Sequence, residues 1–179
     1  MRLFIAIEIP EEIKEYISTI QNQLSYNYSK IKPVTKQQMH LTLKFLGEVQ
    51  PNKAKETIEA LKQIKFKKFN FNLDSVGIFP NKSNIRVVWL GLKPEEDIIN
   101  LQKEIDDKLE RLFDKDRDFK PHITLCRVKH IENKNAFIEK IKNLRIESKN
   151  IDVSSFKLIK STLTKNGPVY EELCIFAGD

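Results

Sequence analysis

His40-Leu41-Thr42-Leu43-Lys44-Phe45-Leu46-Gly47 and Pro121-His122-Ile123-Thr124-Leu125-Cys126-Arg127 carry one pattern twice, His-x-Thr-x in an apolar setting. The first reads as a strand from Met39 to Leu46, ended by Gly47, and the second as a strand entered through Phe119-Lys120-Pro121. In a strand, residues i and i+2 point to the same face. His40 and Thr42 therefore project together, with Leu41 and Leu43 in the core behind them. His122 and Thr124 do likewise, backed by Ile123 and Leu125.

Working outward, each tetrapeptide sits in the same place in a repeated order. Leu3 to Ile9 reads as a buried strand. Pro10-Glu11-Glu12 opens a helix, with acidic residues near its positive end, and Ile13, Ile17, Ile20 and Leu24 form its apolar stripe. A polar loop is expected around Ser25 to Pro33 before the first His-x-Thr-x strand. Ala54, Ile58 and Leu61 mark a second helix, and Phe69, Phe71 and Leu73 alternate as a strand. The order then restarts with a strand over Ile85 to Leu92. Pro94-Glu95-Glu96 opens a helix bearing Ile98, Leu101, Ile105 and Leu112, and the second His-x-Thr-x strand follows. Phe137, Ile138, Ile141 and Leu144 predict another helix, 151–159 an extended stretch, and Val169 to Phe176 a closing strand. His122 follows His40 by 82 positions and Pro94 follows Pro10 by 84. Matching elements at matching offsets point to internal duplication, with repeats of roughly 1–82 and 83–165 plus the closing strand 169–176. No Gly-, Ser- or Pro-rich linker separates them. Asn81-Lys82-Ser83-Asn84 is the one exposed loop expected there, so 1–179 is read as a single domain of two packed lobes.

Composition bounds the class. The 40% apolar content supports a real core, and no apolar run approaches the ~20 residues of a membrane span. The opening MRLFIAIEIPEE turns acidic too soon for a signal peptide, which makes the cytoplasm the expected compartment. A net charge of +6 permits a polyanionic partner without requiring one. Cys126 and Cys174 form no Cys-x-x-Cys pair and read as buried free thiols.

Two imidazoles flanking one phosphate suit phosphodiester cleavage. One takes a proton from the nucleophile while the other protonates the departing oxygen, and an ordinary histidine pKa of about 6.5 populates both states. Two threonine hydroxyls can donate to the non-bridging oxygens as charge builds there. Two of the chain's three histidines fall in identical tetrapeptides; the third, His130, reads as a surface residue in a Lys129-His130 turn. A metal site is the competing reading, because His122 and Cys126 share a face at i and i+4 and His40 could join them. Against it, the chain has no His-x-His, no His-Glu-x-x-His and no carboxylates clustered near either motif. No metal and no cofactor are expected.

At these residues the sequence resembles the 2H phosphoesterase superfamily, and within it the RNA 2′,3′-cyclic phosphodiesterases, also known as 2′-5′ RNA ligases. Arg2-Leu3-Phe4-Ile5-Ala6-Ile7, both motif strands with their flanks, Val88-Trp89-Leu90-Gly91-Leu92 and Gly167-Pro168-Val169-Tyr170-Glu171 carry the likeness nearly end to end. The resemblance implies a bilobal α+β fold, with antiparallel sheets lining a central basic cleft and helices outside. It implies hydrolysis of a terminal 2′,3′-cyclic phosphate on RNA to a 2′-phosphate, with reversible 2′-5′ joining of tRNA halves in some members. On the same ground His40 is the proton donor, His122 the proton acceptor, and Thr42, Thr124 and Arg127 hold the phosphate. The residue types and spacing alone allow either order of the histidines. Arg127 lies five positions after His122, where strict alternation points it away from the cleft. Its role requires the strand to end, bulge or twist. The expected state is a monomer. Two other readings stay open, a non-catalytic RNA-binding protein of the same fold and a cyclic phosphodiesterase for a small nucleotide stacked on Phe45, Phe79 or Tyr170.

Overall fold

Leu3, Phe4, Ile5, Ala6 and Ile7 are all buried, so the continuous apolar run at the N-terminus is a strand covered on both faces. The computed structural model describes residues 1–24, 29–165 and 167–179. In chain order its elements are β1 (Arg2–Glu8), α1 (Glu11–Leu24), β2 (Ser29–Pro33), a 3-10 turn (Lys36–Gln38), β3 (His40–Glu48), α2 (Pro51–Leu61), β4 (Phe69–Asn81), β5 (Asn84–Lys93), α3 (Glu96–Leu109), β6 (Ile123–Ile131), α4 (Lys134–Asn143), β7 (Asn150–Val153), β8 (Ser155–Thr164) and β9 (Gly167–Ala177). No helix among the described residues is long and apolar enough to cross a membrane.

The fold is α+β. Every strand pairs antiparallel, in the order β7-β4-β5-β6-β3-β1-β8-β9, with β2 added on β6. Two half-sheets, β7-β4-β5-β6 and β3-β1-β8-β9, meet where β3 joins β6 through one register pair, Leu41 opposite Ile123. These are the residues between the histidine and threonine of each motif, so antiparallel register runs His40 toward Thr124 and Thr42 toward His122.

The halves also exchange elements. Strand β4, early in the chain, pairs with β5, while β8, late in the chain, pairs with β1. The helices cross over in the same way. Gln21 on α1 donates to the Leu125 carbonyl of β6 at 2.8 Å, and Asp106 on α3 pairs with Lys44 of β3. The α1 stripe read from the sequence, Ile13, Ile17, Ile20 and Leu24, is buried, and so are Ile98, Leu101 and Ile105 on α3, where Leu109 rather than Leu112 completes the buried face.

Several local expectations are corrected. Ser29–Pro33, expected as loop, is strand β2 on β6; its Lys-Ile-Lys alternation is too short to show the strand, which rests on long-range pairing. The remainder of that loop, 25–28, lies outside the described residues. Gly47 does not end β3, which continues to Glu48; it takes φ +69° beside an irregularity at Leu46, a conformation that favours glycine. Helix α3 stops at Leu109, leaving Leu112 in the following turn. His130 is exposed as expected but lies within β6 rather than in a turn. Cys126 is buried and Cys174 only half-buried, and both are free.

Candidate active site

The two motif strands are bulged at the same place. On β1–β3, Ala6 faces Thr42 and Ile5 faces Lys44, leaving Leu43 as the extra residue. On β5–β6, Trp89 faces Thr124 and Val88 faces Cys126, leaving Leu125 extra. A bulge inserts one residue and reverses the alternation after it. Burial follows the reversal in both copies, with 41 and 123 buried, 42 and 124 half-buried, 43–44 and 125–126 buried, and Phe45 and Arg127 exposed. Arg127 therefore lies on the face of Thr124, as its expected role requires.

The same reversal corrects the metal reading. Cys126 is turned into the core at 0% exposure, away from the face of His122, and burial pushes its thiol up to about 12. Among the described residues no three His, Cys, Asp or Glu side chains gather as a metal set.

Each bulge is fastened from below by the opposite helix. The Leu125 carbonyl accepts from Gln21 Nε2 at 2.8 Å and from Val34 N at 3.0 Å. Lys44, 2% exposed, donates to Asp106 and to the Asp114 carbonyl at 2.7 Å. Asp106 also accepts from Asp116 N, which ties down the segment leading to His122.

The two imidazoles are held alike. His122 Nδ1 lies 2.8 Å from the Lys120 carbonyl. A carbonyl only accepts, so Nδ1 carries the proton and Nε2 keeps its lone pair. His40 bonds the backbone of Gln38, also two residues upstream. The Gln38 side chain in turn donates to the Pro168 carbonyl at 2.9 Å, coupling this support to β9.

Aromatic rings enclose both. Phe4 and Tyr170 lie 4.8 and 5.4 Å from His40, and Phe79 and Trp89 lie 5.1 and 6.0 Å from His122, centroid to centroid. Desolvation by this enclosure lowers His40 to about 4, with the charge of His122 a smaller cause in the same direction. His122 is lowered too, chiefly by burial and then by Lys120. The Tyr170 hydroxyl is pushed up by burial, against the charges of Arg127 and Arg2. His122 thus acts on His40 and Arg127 on Tyr170, while the Tyr170 ring packs edge-on against His40.

Phe79 and Tyr170 belong to this wall rather than to the core, and Phe45, 71% exposed, lies on the same face with its ring 6.1 Å from that of Phe4. Phe4, Trp89, Gln38 and Lys120 were not singled out as site residues from the sequence. Phe4 had a signal available, since it alternates with Leu3 and Ile5 in a strand that flanks His40.

A family model described as LigT like phosphoesterase matches the chain twice, over residues 7–89 and 90–170. The chain belongs to the LigT-like phosphoesterase family. Its relatives include a Methanocaldococcus jannaschii protein, 42% identical over 96% of this chain and 97% of its own length, and an Archaeoglobus fulgidus protein, 38% identical over 98% and 99%. Both carry the name RNA 2′,3′-cyclic phosphodiesterase. Among solved structures, this LigT-like chain is similar to a Thermus thermophilus protein, with a TM-score of 0.81 at 29% identity, covering 99% of this chain and 97% of that one. It is also similar to Escherichia coli LigT complexed with 3′-AMP, with a TM-score of 0.78 at 30% identity, covering 98% and 97%.

Proposed function

We propose that this LigT-like phosphoesterase is an RNA 2′,3′-cyclic phosphodiesterase, opening a terminal cyclic phosphate to a 2′-phosphate by proton transfer between His122 and His40. One observation carries the reading. Two backbone-anchored imidazoles, each followed at i+2 by a threonine, stand on adjoining strands that pair at Leu41 opposite Ile123, between histidine and threonine in both motifs. The relatives' shared name supplies the substrate class.

In this mechanism the free Nε2 of His122 takes a proton from water, and the water oxygen attacks phosphorus. The P–O3′ bond breaks, and protonated His40 delivers its proton to the departing 3′-oxygen. Thr42, Thr124 and Arg127 donate to the non-bridging oxygens. The order of the histidines follows the family resemblance. Burial depresses His40, and the anionic cyclic phosphate favours its charged form, so substrate itself helps load the acid. A ribose 5′-hydroxyl entering in place of water forms a 2′-5′ linkage through the same transfers, with tRNA halves as fitting ends. The protein is read as a cytoplasmic monomer working without metal or cofactor.

The test is turnover of a nucleoside 2′,3′-cyclic phosphate in chelator, with the position of the product phosphate determined. A 2′-phosphate is expected. A 3′-phosphate, or no product anywhere between pH 5 and 8, would overturn the assignment.

A further inference from the structure

Lys30 and Lys32 on β2, and Arg127, Lys129 and His130 on β6, put five basic residues on two paired strands, all of them exposed. Register sets Lys32 opposite Arg127 and Lys30 opposite His130, with Lys129 the extra residue between those pairs. Ile31 faces Val128, and both pack on the core. Lys30 and Lys32 share the other face, the one that the bulge at Leu125 also gives to Arg127 and Thr124. The basic ribbon therefore prolongs the cleft face away from the histidines.

Elsewhere many surface cations are matched. Lys36, Lys62, Lys115, Lys142, Lys149, Lys157 and Lys160 each lie within salt-bridge distance of a carboxylate. Among the described residues no ion pair reaches Lys30, Lys32, Arg127 or Lys129, and neither β2 nor β6 contains an Asp or Glu. Like charges directly opposite in an antiparallel pair repel. Here Lys32 and Arg127 are set opposite each other, with Lys30 and Lys129 beside them and no acidic relief on either strand, along a line that starts at the phosphate site. That arrangement complements a polyanion whose end lies in the cleft.

We propose that the β2–β6 ribbon is a track for the phosphodiester backbone of single-stranded RNA, so that the preferred substrate is an oligonucleotide end rather than a mononucleotide. The proposal rests on the RNA-end reading above. It is tested by comparing kcat/KM for a nucleoside 2′,3′-cyclic monophosphate and a short single-stranded oligoribonucleotide ending in the same group. The enzymes are wild type and the triple variant Lys30→Gln/Lys32→Gln/Lys129→Gln, with Arg127 left in place.

Wild type is expected to favour the oligonucleotide by about tenfold or more. The triple variant should bring that ratio close to unity and flatten the log–log salt dependence by about two units, because three backbone contacts are gone. The three corresponding Lys→Arg changes should restore the preference. If the triple variant has a lowered unfolding midpoint, the pair Lys30→Gln/Lys32→Gln takes its place.

An unchanged ratio in the Gln variant, or no preference in wild type, overturns the track. If wild type turns over neither substrate, the RNA-end reading fails. The ribbon is then judged by fluorescence anisotropy with the same oligoribonucleotide carrying a 2′-phosphate. Weaker binding by the variant supports it, and equal binding overturns it. Tighter binding to anionic phospholipid vesicles than to RNA also overturns it.

Discussion

Replacing Lys44 by methionine removes one charge from beneath the His40 strand and keeps the aliphatic stem. The side chains of Lys44 and Asp106 are 2% and 7% exposed, so neither charge is relieved by water. Removing one partner of such a pair costs about 3–5 kcal/mol, because the other is left buried and uncompensated. Asp106 retains two neutral donors, Gln102 Nε2 at 2.9 Å and Asp116 N at 3.0 Å. These place Lys44→Met near the lower end, about 3 kcal/mol. For a chain of this size that is a fall in Tm of roughly 6–12 °C. Asp106→Leu leaves the ammonium with the Asp114 carbonyl and Asp116 at 3.6 Å, and should cost nearer about 5 kcal/mol. The double variant strands no charge. Its loss should fall short of the sum of the single losses by at least about 2 kcal/mol.

Urea unfolding of the four proteins, followed by circular dichroism at constant m, measures this cycle. A loss below about 1 kcal/mol for Lys44→Met, or simple additivity, would refute the idea that a desolvated ion pair clamps the β3 bulge to α3. The variant also reports on the cleft, since the inward turn of Lys44 is what leaves Phe45 facing out.

The remaining expectations concern the site itself. His40→Ala and His122→Ala should each lower turnover of a cyclic phosphate by about 10²-fold or more, with smaller losses for Thr42→Val and Thr124→Val. Near-wild-type turnover by either histidine variant would remove the two-imidazole mechanism. In an NMR titration of the free protein, His40 should titrate near 4 and His122 below 6.5. Inorganic phosphate should raise His40, because an anion favours the imidazolium. For stability the sign is set by the unfolded chain, which binds the extra proton first. The contribution of neutral, enclosed His40 is fully present above about pH 6.5 and is lost as pH falls through that value toward 4. A free-protein His40 that titrates at 6.5 or higher falsifies the desolvation argument. Gly77→Ala places a Cβ 2.1 Å from Trp89 Cζ2, so the indole beside His122 must move. A loss of about 1–3 kcal/mol, with a parallel drop in turnover, is expected from thermal unfolding and assay.

How far the site could be read from the sequence depended on the range of the interaction that fixes each part. The faces of His40, Thr42, His122 and Thr124 follow from a period of two, which is local, and the helix stripes follow from a period of 3.6 for the same reason. Strand β2 did not follow, because Ser29–Pro33 has one apolar residue and owes its conformation to β6, about a hundred positions away. The exchange of helices between half-sheets also leaves no local mark; Gln21 and Asp106 look like ordinary polar residues on helices until Leu125 and Lys44 are placed above them. The bulges are the instructive case. Leu43 and Leu125 are neither glycine nor proline, and nothing in their neighbourhood announces an extra residue. In the second copy the outcome agrees with hydropathy, with Cys126 in the core and Arg127 outside. In the first it is inverted, with Lys44 buried and Phe45 71% exposed, so a hydropathy reading of that copy argues against the register it adopts. Comparing the copies resolves the conflict, because one geometric rule then accounts for both. Without the extra residue, alternation would hold Arg127 against the core and place the Cys126 thiol beside Thr124. A cleft suited to an anion would become a candidate metal site, and the difference between those two chemistries is one residue of register.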